Sequence, residues 1–287
     1  MTAHVAEAGE GRGRVVLRFS VGDANPLAIA AAVRVAQAFN SEVESLFIED
    51  TQVLDLASHP FVREISFAGR HNRALTEHGL HQSFMAAFVS ARRAIQAEAL
   101  AAEVPLRERV VRDEPIHALA AACAQNGPWN VIALAEAFGT GTSVSIREIF
   151  ENVSDATGLV MVGPKASRSV GPVVVVVEDL ERLQGMLRAA DRIGKLSESP
   201  TVLLLLADDE NELHQLDGEI RLVLGDRKDV AIAVSTQRLG NPAVAAEALR
   251  RLRGGFVIAR FGGLAVPGEG GWRPLVSTLE CPLLLVR

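Results

Sequence analysis

The most constraining stretch of this chain is Val173-Val174-Val175-Val176-Val177, five valines in succession. β-Branched side chains favour extended backbone, and successive residues of a strand point to opposite faces of its sheet. A run that is apolar at every position therefore needs cover on both faces, as in a parallel sheet sandwiched between helices. The following sequence supplies that cover. Leu180–Leu196 reads as a helix and Thr201–Leu206 as a second buried strand, while Leu213, Leu216, Ile220 and Val223 form a helix stripe. Val230–Val234 is a strand, Pro242 opens a helix, Phe256–Ala259 is a strand, and Leu283–Val286 closes the chain. Strands alternating with helices specify parallel sheets with right-handed crossovers.

The same alternation runs through the preceding residues. Gly9–Arg14 is small, charged and Gly-rich, so residues 1–13 read as a loose arm. Val15-Val16-Leu17 is a short strand, and Asn25-Pro26 is the cap-plus-proline signature of a helix start. Ile29, Ala32, Val33, Ala36 and Phe39 then mark one buried helix face, and Val43–Ile48 is the next strand. Thr51–Glu103 is mostly helical, most clearly at Phe84, Phe88, Ala91, Ile95, Ala99 and Ala102, with Gly79 expected to break or kink the stretch before them. Leu106–Val111 alternates with charges as a half-buried strand, and Pro115 opens a helix through Ile116, Leu119, Ala120 and Cys123. Asn126-Gly127-Pro128 stops it, Val131–Leu134 is a strand, Thr140–Asp155 is a loop followed by a short helix, and Leu159–Val162 is a strand. Lys165–Gly171 is polar with several small residues, which places a boundary there. Pro115-Ile-His-Ala-Leu-Ala-Ala before Trp129-Asn-Val-Ile-Ala-Leu matches Pro242-Ala-Val-Ala-Ala-Glu-Ala before Gly255-Phe-Val-Ile-Ala-Arg, so the unit is duplicated. The expected architecture is α/β: two tandem, Rossmann-like, doubly wound parallel sheets of five strands each, with helices on both faces. The first domain spans 14–166 with a helical insertion at about 51–103; the second, shorter, spans 171–287.

Composition removes other classes. Two cysteines, Cys123 and Cys281, in 287 residues exclude a disulfide framework and a four-cysteine zinc site. No apolar run approaches the ~20 residues of a membrane span, and Met1–Arg14 lacks the apolar core of a secretory signal, so a cytoplasmic location without membrane contact is expected. The net charge of −6 argues against nucleic acid, whose phosphates need a positive surface.

Three segments resemble the universal stress protein family, in its tandem form. Arg109-Val110-Val111-Arg112-Asp113-Glu114-Pro115 before an Ala-rich helix looks like the family's third strand and the acidic-Pro start of its next helix. Asn130-Val131-Ile132-Ala133-Leu134 looks like the fourth strand, and Glu280-Cys281-Pro282-Leu283-Leu284-Leu285-Val286-Arg287 like the closing strand. The likeness spans roughly Arg14 to Arg287. It implies a site for ATP, with magnesium if bound, or for another phosphate ligand. Members that hold ATP carry an acidic residue after the first strand, a glycine loop after the fourth, and a later Gly-Ser or Gly-Thr at a helix start. Glycines let backbone N–H groups approach phosphate oxygens, and a helix N-terminus adds a favourable dipole.

Carried over residue by residue, the resemblance puts Ser20 at the acidic position, with Asp23 nearby, and Gly139, Thr140, Gly141, Thr142 and Ser143 in the loop. The later Gly-Ser position falls near Glu151-Asn152, where a carboxylate is expected to face the phosphates. Two unit charges at about 4 Å cost about 4 kcal/mol at an effective dielectric of ~20, enough to turn a micromolar site into a roughly millimolar one. In the second half Glu178 or Asp179 takes the acidic position, but the glycines Gly262-Gly263 and 268, 270 and 271 are misspaced and Glu269 intrudes.

The other constellations read as structure. His71, His78 and His81, with His59 before them and Glu77 nearby, have ligand chemistry, but Gly79 weakens the helix that would align them, and no metal site is expected. Cys123 and Cys281 read as core, Trp129 and Trp272 as packing, and Arg250-Arg251-Leu252-Arg253 as a helix end. Ser20, Ser143 and Asp155 make no hydrolase triad, since no Gly-x-Ser-x-Gly elbow exists. The leading function is a non-catalytic binding or scaffold protein, its halves packed as a pseudo-dimer, with a degenerate nucleotide site in the first half. Two alternatives stay open. One is a slow ATPase or adenylyl-transfer enzyme at Gly139–Ser143, with Arg147 as the nearest positive group. The other is a structural partner protein whose Phe84–Ala102 helix docks another chain. A true homodimer is also compatible.

Overall fold

The computed structural model describes residues 13–19, 24–65, 72–124, 129–137, 145–234, 242–268 and 273–287. The first strand, β1 (Arg14–Phe19), is buried throughout and leads to α1 (Pro26–Ala38). Asn25 starts that helix: its side chain accepts from the Leu27 N–H at 2.9 Å, and Pro26 has no N–H to leave unsatisfied. β2 (Glu42–Asp50) follows, then the insertion of α2 (Thr51–Ser58), β3 (Arg63–Ile65), β4 (Asn72–Ala74) and α3 (Glu77–Ala101). The insertion is mostly helical, as expected, but it also carries the β3–β4 antiparallel hairpin. That hairpin is exposed at every position, so it leaves no apolar alternation in the sequence. Gly79 does not break α3. It lies in the first turn, where its N–H donates to the capping Thr76 Oγ1 at 3.2 Å.

The first half is completed by β5 (Leu106–Asp113), α4 (Pro115–Ala124), β6 (Asn130–Leu134), α5 (Ile146–Asn152) and β7 (Ala156–Met161). The five valines form β8, Val173–Val177, buried on both faces as the sequence requires. After it come α6 (Leu183–Lys195), β9 (Thr201–Leu205), α7 (Glu210–Leu224), β10 (Val230–Val234), α8 (Pro242–Leu252), β11 (Phe256–Arg260), α9 (Arg273–Thr278) and β12 (Leu283–Val286). Two boundaries shift from the sequence reading. α6 begins at Leu183 rather than Leu180, and the last buried residue of the α7 stripe is Leu224, with Val223 turned outward. A 3.6-residue period makes positions 3 and 4 beyond Ile220 near-equivalent in sequence, and packing decides between them.

Each half contributes five parallel strands in one order, third-second-first-fourth-fifth: β5-β2-β1-β6-β7 and β10-β9-β8-β11-β12. The α/β class with five strands per half therefore holds. The two sheets are not separate bodies, however. β7 and β12 pair antiparallel, Met161 opposite Leu283 through Gly158 opposite Val286, and fuse the halves into a ten-stranded sheet. Without that pairing, Leu159, Val160 and Met161 would line a bare apolar edge. Gly158 lets the seam close, because a Cβ there would lie 2.9 Å from the Leu285 carbonyl oxygen. Two apolar layers cover the sheet. α1, α3, α6 and α7 pack on one face and α4, α5, α8 and α9 on the other, and each layer runs through both halves. Arg34 staples the halves on the first face, donating to the carbonyls of Ser169 and Ile193 and to Ser197 Oγ at 2.6–3.2 Å. Among the described residues, no helix is long and apolar enough to cross a membrane.

Candidate functional site

In open α/β sheets, ligands bind outside the carboxyl ends of the strands where the strand order reverses. Here that point lies between β1 and β6 in the first half and between β8 and β11 in the second. The structure treats the two crevices differently.

In the second, Glu178 follows β8 directly, at the position where the family resemblance expects an acidic residue. Its carboxylate folds onto the loop after β11, where Oε2 accepts from the Leu264 N–H and Oε1 from the Ala265 N–H, each at 2.8 Å. Paired backbone N–H groups of this kind are general anion donors. A Cβ at Gly263 would overlap the Glu178 carboxylate, so a side chain there would displace that carboxylate from its place; Gly262 sits at φ +86, a conformation glycine adopts freely. Burial raises the pKa of Glu178 while the two N–H donors pull it down, and the upward effect dominates. A cleft of about 620 Å³ opens beside it. Its charged walls are Asp179, Asp208, Glu212 and Glu219, against which stands Arg260, paired with Asp179. The second crevice thus satisfies its own anion donors and surrounds them with carboxylates. Glu269 and the glycines at 270 and 271 lie outside the described residues.

In the first crevice, Ser20, Asp23, Gly139, Thr140, Gly141, Thr142 and Ser143 all lie outside the described residues, as does His71 of the histidine group. The surrounding frame is described. The Asn25 N–H donates to the Ala135 carbonyl at 2.7 Å, tying the start of α1 to the end of β6. Arg18, near the end of β1, is 1% exposed, and Glu136, just past β6, is 4% exposed; their charged groups are 3.8 Å apart. Burial lowers the Arg18 pKa from its ordinary value, opposed by Glu136 and by Asp50 at the end of β2. Counted along the strand pairings, and with each residue matched to one turned to the same face, the corresponding residues of the second half are Val176 and Phe261, one place off the Trp129–Leu134 and Gly255–Arg260 sequence match. The trace of this ion pair in the sequence is slight: one charged residue inside the apolar strand Val15-Val16-Leu17-Arg18-Phe19.

The charged residues of α5 pair within the helix. Ser145 and Glu148 form a reciprocal capping box, and Glu151 bonds Arg147 at 2.6 Å on an exposed flank. Glu151 therefore has a cation beside it; the loop it was expected to face lies outside the described residues. His78 bonds Gln82, and His81 lies 3.7 Å from Glu49. Among the described residues, no three His, Cys, Asp or Glu side chains converge as metal ligands.

Both cysteines are buried, and burial pushes each thiol up to about 12. The thiolate is the nucleophile, so iodoacetamide at about pH 8 is expected to leave the native protein unlabelled and to modify both residues in urea. Native labelling at the rate of a free thiol would contradict this burial.

The fold matches solved universal stress protein structures. A universal stress protein from Archaeoglobus fulgidus superposes with a TM-score of 0.59 at 10% identity, covering 96% of this chain and 98% of that one. A functionally unknown protein from Pseudomonas aeruginosa gives 0.57 at 12% identity over 96% and 92%. The cytoplasmic domain of a prokaryotic cation chloride cotransporter gives 0.54 at 10% identity over 96% and 95%. At these identities the likeness is one of fold. No protein-family model matches the sequence, nor does any curated protein.

Proposed function

We propose that this chain is a non-catalytic, cytoplasmic binding or scaffold protein of universal stress type. It has two domains, 14–166 and 171–287, the second of which has lost nucleotide binding. Any ATP or other phosphate ligand is held by the first domain, at Ser20, Asp23 and Gly139–Ser143. The carrying observation is the Glu178 carboxylate on the Leu264 and Ala265 N–H groups. A polyphosphate entering there would have to expel a bound carboxylate and approach Asp179, Asp208, Glu212 and Glu219. The non-catalytic reading draws support from Arg147, the cation nearest the first loop in sequence, whose guanidinium is engaged by Glu151 on an exposed helix flank.

Calorimetry with ATP and magnesium tests this. The expected result is one site per chain, abolished by Gly141→Asp, with no phosphate released. Two sites, or turnover, would overturn it. One observation favours a second reading, docking of a protein partner by the insertion: Phe61 is 91% and Ile65 65% exposed, with Leu56, Met85 and Val89 also exposed. No heat at about millimolar nucleotide leaves that reading in place of the first.

A further inference from the structure

α1 and α6 pack against each other over the β7–β12 seam, but they do not seal it. Between the C-terminal end of α1 and the N-terminal part of α6, a cleft of about 240 Å³ reaches down to the sheet. Leu284 and Val286 of β12 form its floor. Phe39 and Trp129 stand on one side, their rings 5.3 Å apart and inclined at 60°, and Met186 faces them from α6. Arg192 lies over the Phe39 ring, 5.1 Å from its centre, and Gly13 packs on the Trp129 indole, so what the two rings and the adaptable Met186 thioether offer the cleft is an apolar wall that suits a flat ring. An apolar cavity of about 150 Å³ accepts benzene, so this one has room for about two fused rings.

Two details point to the class of occupant. Gly185, on the first turn of α6, lines the cleft, and a Cβ there would meet no atom within 4 Å. Packing therefore does not demand glycine, the poorer helix former, at this lining position. The charged residues of the lining are both arginines. Arg287 turns its guanidinium to the other face of the sheet, donating to the Phe150, Val153 and Ser154 carbonyls. Arg182 is half-exposed at the rim, with the Glu181 carboxylate 3.8 Å away. A wholly apolar ligand would fit the walls and ignore Arg182; a ring bearing a carboxylate answers both.

We propose that this cleft binds a small aromatic carboxylate, its ring between Phe39, Trp129 and Met186 and its carboxylate on Arg182. The site is separate from both strand-end crevices and does not rest on the nucleotide reading.

The probe is 2-naphthoate, titrated calorimetrically into the full chain. One site per chain is expected, with affinity between about millimolar and micromolar. Gly185→Leu, which fills the cleft from an open helix position, is expected to weaken binding at least about tenfold, a loss of about 1.4 kcal/mol. Gly185→Ala, which adds one methyl group, should weaken it less and guards against a folding defect in the leucine variant. Arg182→Gln is expected to weaken 2-naphthoate several-fold and to leave neutral 2-naphthol unchanged. In a Trp272→Phe background, emission from Trp129 should change saturably with the probe. No heat at ~5 mM probe, wild-type affinity in Gly185→Leu, or equal binding of naphthol and naphthoate would each overturn the assignment.

Discussion

Glu136→Leu is expected to cost about 3–5 kcal/mol of folding stability, and adding Arg18→Met to restore most of it. Both groups are almost fully buried, and their charges lie 3.8 Å apart. Removing the carboxylate takes the nearer counter-charge from a buried guanidinium, which stays charged because arginine does not deprotonate in proteins, and leaves Asp50 at the end of β2 as the more distant one. Removing both charges returns the site to the chemistry of the second half, where Val176 and Phe261 occupy the matching places in the same strand order. Urea unfolding of the wild type, the two single variants and the double variant closes the cycle. Near-neutral single variants, or a double variant weaker than either, would remove the ion pair from the account of the first crevice.

Gly163→Ala is expected to destabilise by about 3 kcal/mol, the upper end of the range for overpacking. A Cβ at this position would overlap the carbonyl oxygen of Val276 in α9, and a backbone atom cannot rotate away. The segment after Gly163 is also held, since the Ser167 and Arg168 N–H groups donate to the Glu280 carbonyl at 2.9 and 2.8 Å. Relief would require moving the connection between halves or lifting α9 from its layer. The same substitution at Gly185, where the added methyl group meets open space, is the control and should cause no loss. A Gly163→Ala variant that unfolds with the wild-type midpoint would show that the connection yields freely.

The strands were legible because burial on both faces leaves an unmistakable run of apolar residues, as in Val173–Val177 and Asn130–Leu134. The duplication followed from the repeated proline-helix-strand unit, but the order of strands within each half did not. What stayed hidden depends on contacts between distant residues. Nothing local in Leu159-Val160-Met161 distinguishes a fifth strand with a bare edge from one paired to Leu283-Leu284-Leu285. The β3–β4 hairpin is polar on the outside and buries no face, so it carries no period to read. Gly79 read as an interruption because its role depends on the Thr76 hydroxyl three residues earlier. At the sites, the acidic position after the first strand of the second half was found in the sequence, but its direction was not. Whether Glu178 faces a ligand or its own loop is decided by where Leu264 and Ala265 place their N–H groups, 86 and 87 residues away.

The antiparallel seam between β7 and β12 makes each half the permanent neighbour of the other. Two free copies would meet only at sufficient concentration and would share every mutation. Joined in one polypeptide, they cannot be diluted apart, and a change in one is not imposed on the other. Such tethering frees one crevice to fill with its own carboxylate while its twin keeps a different inventory.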